Sequence, residues 1–153
     1  MTDKTLPAVA VVILNYNGRS FLERFLPSVR KTAYANLRLI VADNGSTDSS
    51  VEYLKELGFK DYEPGMAEGL ILMPENHGFA GGYNVALKQV TDVDYYVLLN
   101  SDVEVPERWV TPVIELMESS EEIVIAQPKV LQQVQPSHFE YAGGSGGWID
   151  FLG

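Results

Sequence analysis

The chain has 153 residues, 21 acidic side chains against 11 basic, a formal net charge of −10, 46% hydrophobic residues and no cysteine. That charge argues against a nucleic-acid or anionic-membrane surface, and the missing cysteine excludes disulfides, thiolate nucleophiles and Cys-ligated zinc. One buried core, a single domain and a reducing compartment are expected, with no disorder and no membrane span, since the opening apolar run is too short for either a signal sequence or a span.

In chain order the elements alternate. Val9 to Leu14 reads as an apolar strand ending on the turn-forming Asn15-Tyr16-Asn17-Gly18. Phe21, Leu22, Phe25, Leu26 and Val29 recur at helical spacing, with Pro27 expected to kink or divide that helix. Leu37 to Ala42 is a second strand closing on Asp43-Asn44-Gly45-Ser46-Thr47-Asp48. Ser49 and Glu52 have capping-box spacing for a helix that turns Val51, Leu54 and Leu57 inward. After a polar connection over 58–68 comes a third strand, Leu70 to Met73. The Pro74–Gly82 loop then opens a helix with Phe79, Tyr83, Ala86, Leu87 and Val90 on one face.

The next run, Tyr95-Tyr96-Val97-Leu98-Leu99, predicts a buried central strand that stops at Asn100-Ser101-Asp102. Thr111-Pro112 predicts an N-cap with proline at the first helical position, burying Val113, Ile114 and Met117, and Ile123 to Ala126 predicts a further strand. The Gly-rich ending with Trp148, Ile149, Phe151 and Leu152 suggests either the front part of a longer protein or apolar residues that dock back on the domain.

Strands alternating with helices predict an α/β fold, a mostly parallel sheet with helices on both faces, and all strand-end clusters on one edge. Asn15/Tyr16/Asn17, Asp43/Asn44, Asn76/Gly78 with Asn84 behind, and Asn100/Ser101/Asp102 meet there. Each cluster taken singly is a turn or cap, whereas together they frame a crevice suited to a nucleotide. Gly78 and its neighbours let backbone amides approach an anion at a helix N-terminus, and Asp102 is a hard oxygen ligand suited to Mg²⁺ or Mn²⁺.

These motifs resemble those of glycosyltransferase family 2, the inverting enzymes of GT-A (Rossmann-like) fold: Val11–Gly18, Val41–Asp48, Glu75–Ala80 with Asn84, and Leu99–Asp102 come in the family's order and spacing. The rhamnosyltransferase-like branch is the most similar, through Pro128-Lys129-Val130 and Glu140–Gly144. The resemblance implies a donor-binding domain over residues 1–128 and the start of an acceptor-side region over 129–153. It implies a UDP- or dTDP-sugar donor and a glycan, lipid-linked or polysaccharide acceptor. Asp43 would accept the base N3–H, and Asn15 to Asn17 would cradle base and ribose. Asn76 and Asn84 would face the ribose and phosphates, Asn44, Gly78, Asn100 and Ser101 would belong to the same nucleotide-sugar site, and Asp102 would hold the Mg²⁺ or Mn²⁺. It further implies a cytoplasmic location, peripheral to a membrane in the full-length protein. Asn100 departs from the family, standing where its Asp-x-Asp motif often has its first acid.

Inversion also needs a carboxylate to deprotonate the acceptor, and none is identified; it is expected beyond Gly153, with Asp150, Glu140 and Glu104 the first candidates within the chain. The alternative is a nucleotide-sugar binding module without turnover. A Rossmann dehydrogenase lacks its G-x-G-x-x-G here, and Gly143–Gly147 cannot serve as a nucleophile elbow because His77 and His138 both precede Ser145.

Overall fold

The computed structural model describes residues 6–139. Within them run β1 (Val9–Asn15), α1 (Arg19–Arg30), β2 (Leu37–Asp43), α2 (Ser50–Glu56), β3 (Glu68–Leu72), α3 (Gly78–Leu87), β4 (Tyr95–Asn100) and α4 (Val110–Glu118). The strands form one sheet in the order β3-β2-β1-β4, every neighbouring pair parallel. This is the α/β architecture the alternation predicts.

The strands are largely apolar between their ends because the sheet is covered on two sides. On one face Ala10, Val12, Ile40, Ala42, Ile71 and Met73 form a core with Tyr83, Ala86 and Val90 from the α3 region. The alternate residues Val9, Val11, Ile13, Leu39, Val41 and Leu70 are also buried and point to the opposite face. Right-handed crossovers carry α1 and α2 to that side, with Leu22, Phe25, Leu26, Val29 and Leu54 buried on them. Beside β3, Tyr62 N–H donates to the Leu70 carbonyl at 2.9 Å and Leu70 N–H to the Lys60 carbonyl at 2.8 Å, so part of the polar connection screens that edge.

Several local expectations change. The run at 95–99 is not central among the described residues: β4 is the terminal strand of the sheet they form, next to β1, and Tyr96 and Leu98 are 44% and 53% exposed. A continuous apolar run signals burial without saying how many neighbours a strand has. Pro27 does not divide α1, which runs unbroken through it. Leu22, Phe25, Leu26 and Val29 are buried on both sides of the proline, and that burial offsets the lost hydrogen bond. The Ser49 side chain makes no cap bond; Asp48 Oδ1 instead accepts from Ser50 N–H at 3.0 Å.

The chain divides into two compact units at Glu107/Arg108. In the second, α4 begins at Val110, with Trp109 at the N-cap position, so Thr111 and Pro112 lie inside its first turn. Val110 and Ile114 are its buried residues. The strand predicted at Ile123–Ala126 does not form: Ile123 N–H bonds back to the Ser120 carbonyl at 3.1 Å in a turn, and Val124 and Ile125 are 76% and 85% exposed. Leu131 and Phe139 make an antiparallel bridge. Glu140, the Glu140–Gly144 motif, Gly143–Gly147, Trp148, Ile149, Asp150, Phe151 and Leu152 lie outside the described residues.

Candidate functional site

The chain leaves β1 toward β2 on one side, and β4 returns to β1 on the other, so the strand order reverses between β1 and β4. At such a reversal the loops leaving the two strands part in opposite directions and open a crevice at the carboxyl edge. Here a cleft of about 360 Å³ opens there, lined by Leu14, Tyr16, Phe21, Asn44, Asn76, Gly78, Phe79, Asn100, Ser101 and Asp102. All four sequence clusters contribute to it: the first through Tyr16, the second through Asn44, the third through Asn76 and Gly78, and the fourth through Asn100, Ser101 and Asp102.

Its rim is tied together by short polar side chains. Asn17 has a left-handed backbone (φ 51°), and its Oδ1 accepts from the amides of Thr47 (2.7 Å) and Asp48 (3.3 Å). Asn44, 2% exposed, donates to Asn76 Oδ1 and to the Gly78 carbonyl, each at 3.0 Å, and accepts from His77 N–H at 2.9 Å. Asn76 Oδ1 also accepts from Gly78 N–H at 2.7 Å, closing an Asx-turn. Gly45 sits at φ +74° with the Glu75 carbonyl carbon only 2.6 Å from where a Cβ would be, so the two loops touch backbone to backbone.

Asn15 and Asp43 are paired in register, and both are buried on the strand face opposite Leu14. Asn15 Nδ2 donates to Asp43 Oδ1 at 2.9 Å and to Ser46 Oγ at 3.2 Å, and Ser46 N–H donates to Asp43 Oδ2 at 2.9 Å. They do not line the cleft; they hold the loop that carries Tyr16. Asn84 is exposed on α3 and is not among the lining residues either. Asp48 accepts from Arg19 N–H at 3.1 Å as well as from Ser50. Burial works against its charge, but bonds from Ser50 and the Arg19 amide outweigh this and hold its carboxyl below the ordinary value.

Sequence reasoning missed three residues. Ser46, placed in the polar run that closes the second strand, accepts from both Asn15 Nδ2 and Asn17 N–H (2.8 Å) and is the hub of the first loop. Phe21 and Phe79, read as members of apolar helix faces, are 47% and 65% exposed on the cleft wall. Their signal was present: each is followed four residues later by an aromatic that takes the buried place, Phe25 and Tyr83. Tyr83 donates its hydroxyl to the Leu99 carbonyl at 3.0 Å, and burial pushes its phenol up to about 12.

At the end of β4 the oxygen-bearing set of Asn100, Ser101 and Asp102 lines the cleft. No group of three or more His, Cys, Asp or Glu side chains gathers to hold a metal among the described residues. Such a set fits a hard divalent cation that takes one or two carboxylates from the protein and the remainder from substrate phosphates.

The Glycosyl transferase family 2 model matches residues 10–140. An uncharacterized glycosyltransferase of Haemophilus influenzae is 31% identical over 97 residues, 63% of this chain and 37% of that protein. The mannosyltransferase PcManGT of Pyrobaculum calidifontis, solved with GDP-Man and Mn²⁺, superposes with a TM-score of 0.62 at 25% identity, over 83% of this chain and 34% of that one. S. aureus TarS 1-349 in complex with UDP-GlcNAc shares the fold, with a TM-score of 0.62 at 19% identity over 74% of this chain and 32% of that one. This chain therefore spans about a third of the length of the proteins it matches. With residues 10–140 covered by the family model and the parallel GT-A-type sheet behind them, the chain belongs to glycosyl transferase family 2.

Proposed function

We propose that residues 1–128 are the donor-binding part of a glycosyltransferase of the rhamnosyltransferase-like branch. It moves a sugar from UDP or dTDP to a glycan, lipid or polysaccharide acceptor with inversion and metal assistance, in the cytoplasm, and residues 129–153 begin the acceptor side. The observation that carries this reading is the cleft at the β1/β4 reversal, which joins Tyr16, Asn44, Asn76 and Gly78 to Asn100, Ser101 and Asp102 on one wall. The GDP-Man and Mn²⁺ held by PcManGT and the UDP-GlcNAc held by TarS support it by analogy.

In this reading Tyr16 borders the base, and the α3 N-terminus with Gly78 meets the diphosphate. Asn76 turns its Oδ1 inward to Asn44 and Gly78, so its NH₂ is the group it presents to the ribose. Asp43 keeps acceptor capacity on each oxygen beyond its bonds to Asn15 and Ser46, which supports a further bond to the N3–H of uracil or thymine. At 2% exposure, that contact needs the loop to part as the base enters. Asp102, with Asn100 and Ser101, holds the divalent cation. When bound, Mg²⁺ or Mn²⁺ supplies Lewis-acid neutralisation of the leaving diphosphate.

Asp102 is the one carboxylate lining the cleft among the described residues, and inversion calls for a second to take the acceptor proton. That favours a narrower role for the 153-residue chain alone, donor binding without turnover. Calorimetry tests the reading: UDP and Mn²⁺ bind cooperatively, UDP and dTDP more tightly than CDP, and Asp102→Ala abolishes the cooperativity. UDP affinity indifferent to both EDTA and Asp102→Ala would remove Asp102 from the metal site.

A further inference from the structure

Phe21 stands in the first turns of α1 and Phe79 at the start of α3, on elements that cover opposite faces of the sheet, yet both rings reach the same cleft. Neither ring is loose. Phe21 stacks on the buried Phe25 with ring centroids 6.5 Å apart, and Phe79 meets the buried Tyr83 edge-on at 5.1 Å. Tyr83 is itself anchored by its bond to the Leu99 carbonyl. An exposed phenylalanine costs little on a surface, but two of them, each propped from behind and facing one cleft, form a preorganised apolar wall. The same cleft carries Asn76, Asn100, Ser101 and Asp102, so its occupant has a flat apolar part joined to a polar one, and the divalent cation proposed for Asp102 would suit that polar part to a diphosphate. A nucleobase on a diphosphate has that construction, and bases stack on aromatic rings whatever their edge pattern.

We infer that Phe79, with Phe21 as the second wall, is the stacking platform for the nucleobase of the donor, and that it sets affinity for the base by face while other groups select its identity. The inference rests on the donor-cleft reading above. Phe79 contributes the same factor to any base, so Phe79→Ala weakens UDP, dTDP and GDP alike by roughly five- to a hundredfold, the ~1–3 kcal/mol of one stacked base at about 1.4 kcal/mol per tenfold. Phe79→Leu keeps bulk and loses the effect of the ring, whereas Phe79→Tyr restores binding. Phe21→Ala weakens UDP in the same sense.

The test is calorimetry on the full 153-residue chain with Mn²⁺ present, titrating UDP, dTDP, GDP, UDP-GlcNAc and inorganic pyrophosphate into wild type and these variants. Circular dichroism checks the fold of each variant. The expected pattern is a loss for every nucleotide in Phe79→Ala with pyrophosphate unchanged. Equal losses for UDP and pyrophosphate would make Phe79 a structural prop. A loss confined to UDP-GlcNAc would put the ring under the sugar, and wild-type affinity in both Phe79→Ala and Phe79→Leu would leave no platform. Each of those three overturns the inference while the donor-cleft reading survives. Wild-type protein that binds neither nucleotides nor pyrophosphate removes both.

Discussion

Asp43 accepts hydrogen bonds on both oxygens, a buried one from the Asn15 side-chain amide at the end of β1 and a part-buried one from the Ser46 backbone amide in the loop after β2. Asp43→Ala leaves the Ser46 N–H without its acceptor and strips Asn15 Nδ2 of the shorter of its two bonds, a cost of about 1–3 kcal/mol per unsatisfied group. The urea midpoint should fall accordingly, even without ligand; an unchanged midpoint would mean that the carboxylate is held for binding alone. Asp48 behaves differently because, despite burial, its bonds from Ser50 and the Arg19 amide hold its carboxyl below the ordinary aspartate value of 3.8. A depressed folded pKa gives stability that is present above pH 3.8 and lost as the pH falls through the lower folded value. Wild-type protein should therefore lose thermal stability more steeply than Asp48→Asn as the pH falls below 4, and parallel curves would contradict this. The asparagines were legible as a group from their strand-end positions. Their individual tasks were not, because a sequence does not say whether an Asn side chain faces a ligand or, as with Asn17 and Asn44, the next loop.

Helix α1 keeps its path through Pro27 although the proline lacks the N–H that would bond the Glu23 carbonyl. Pro27 is exposed, so its ring contributes nothing to the core, and Pro27→Ala should stabilise the protein. A helix-interior proline costs about 3 kcal/mol relative to alanine, partly offset by the greater freedom of the unfolded alanine chain, leaving a net gain of about 1–2 kcal/mol. Chemical denaturation would read it, and a loss of stability would show that the ring is needed where it stands. The elements themselves were largely readable, since β1, β2 and α1 follow apolar periodicity closely. The position of β4 was not, because membership in a sheet depends on strand order, which comes from the crossover of α3 and leaves no local mark at Tyr95–Asn100. The same limit applies at Ile123–Ala126, where a β-prone tetrapeptide without a paired neighbour among the described residues folds back on Ser120.

For the molecule as a whole, Asp102 is the one carboxylate lining the cleft among the described residues, while the proposed transfer requires another beneath the anomeric carbon. The 153-residue chain should bind UDP- or dTDP-sugars yet form transfer product at least ~10²-fold more slowly than a full-length protein, the usual cost of a missing general base. Product formation across a donor and acceptor panel decides this. Comparable turnover would place the base within residues 1–153, and Glu104, exposed and away from the cleft wall, would be the first to mutate with Glu140 and Asp150. The ties from Asn17 to residues 47 and 48, and from Asn44 to residues 76 to 78, bear on how such a molecule recognises anything. They freeze the rim when the chain folds, so the entropy of ordering these loops is charged to folding and not to the ligand. Under the donor-cleft reading a nucleotide then meets a mould that is fixed except where the loop over Asp43 parts, and variants that spoil the fit change how long it stays more than how fast it arrives.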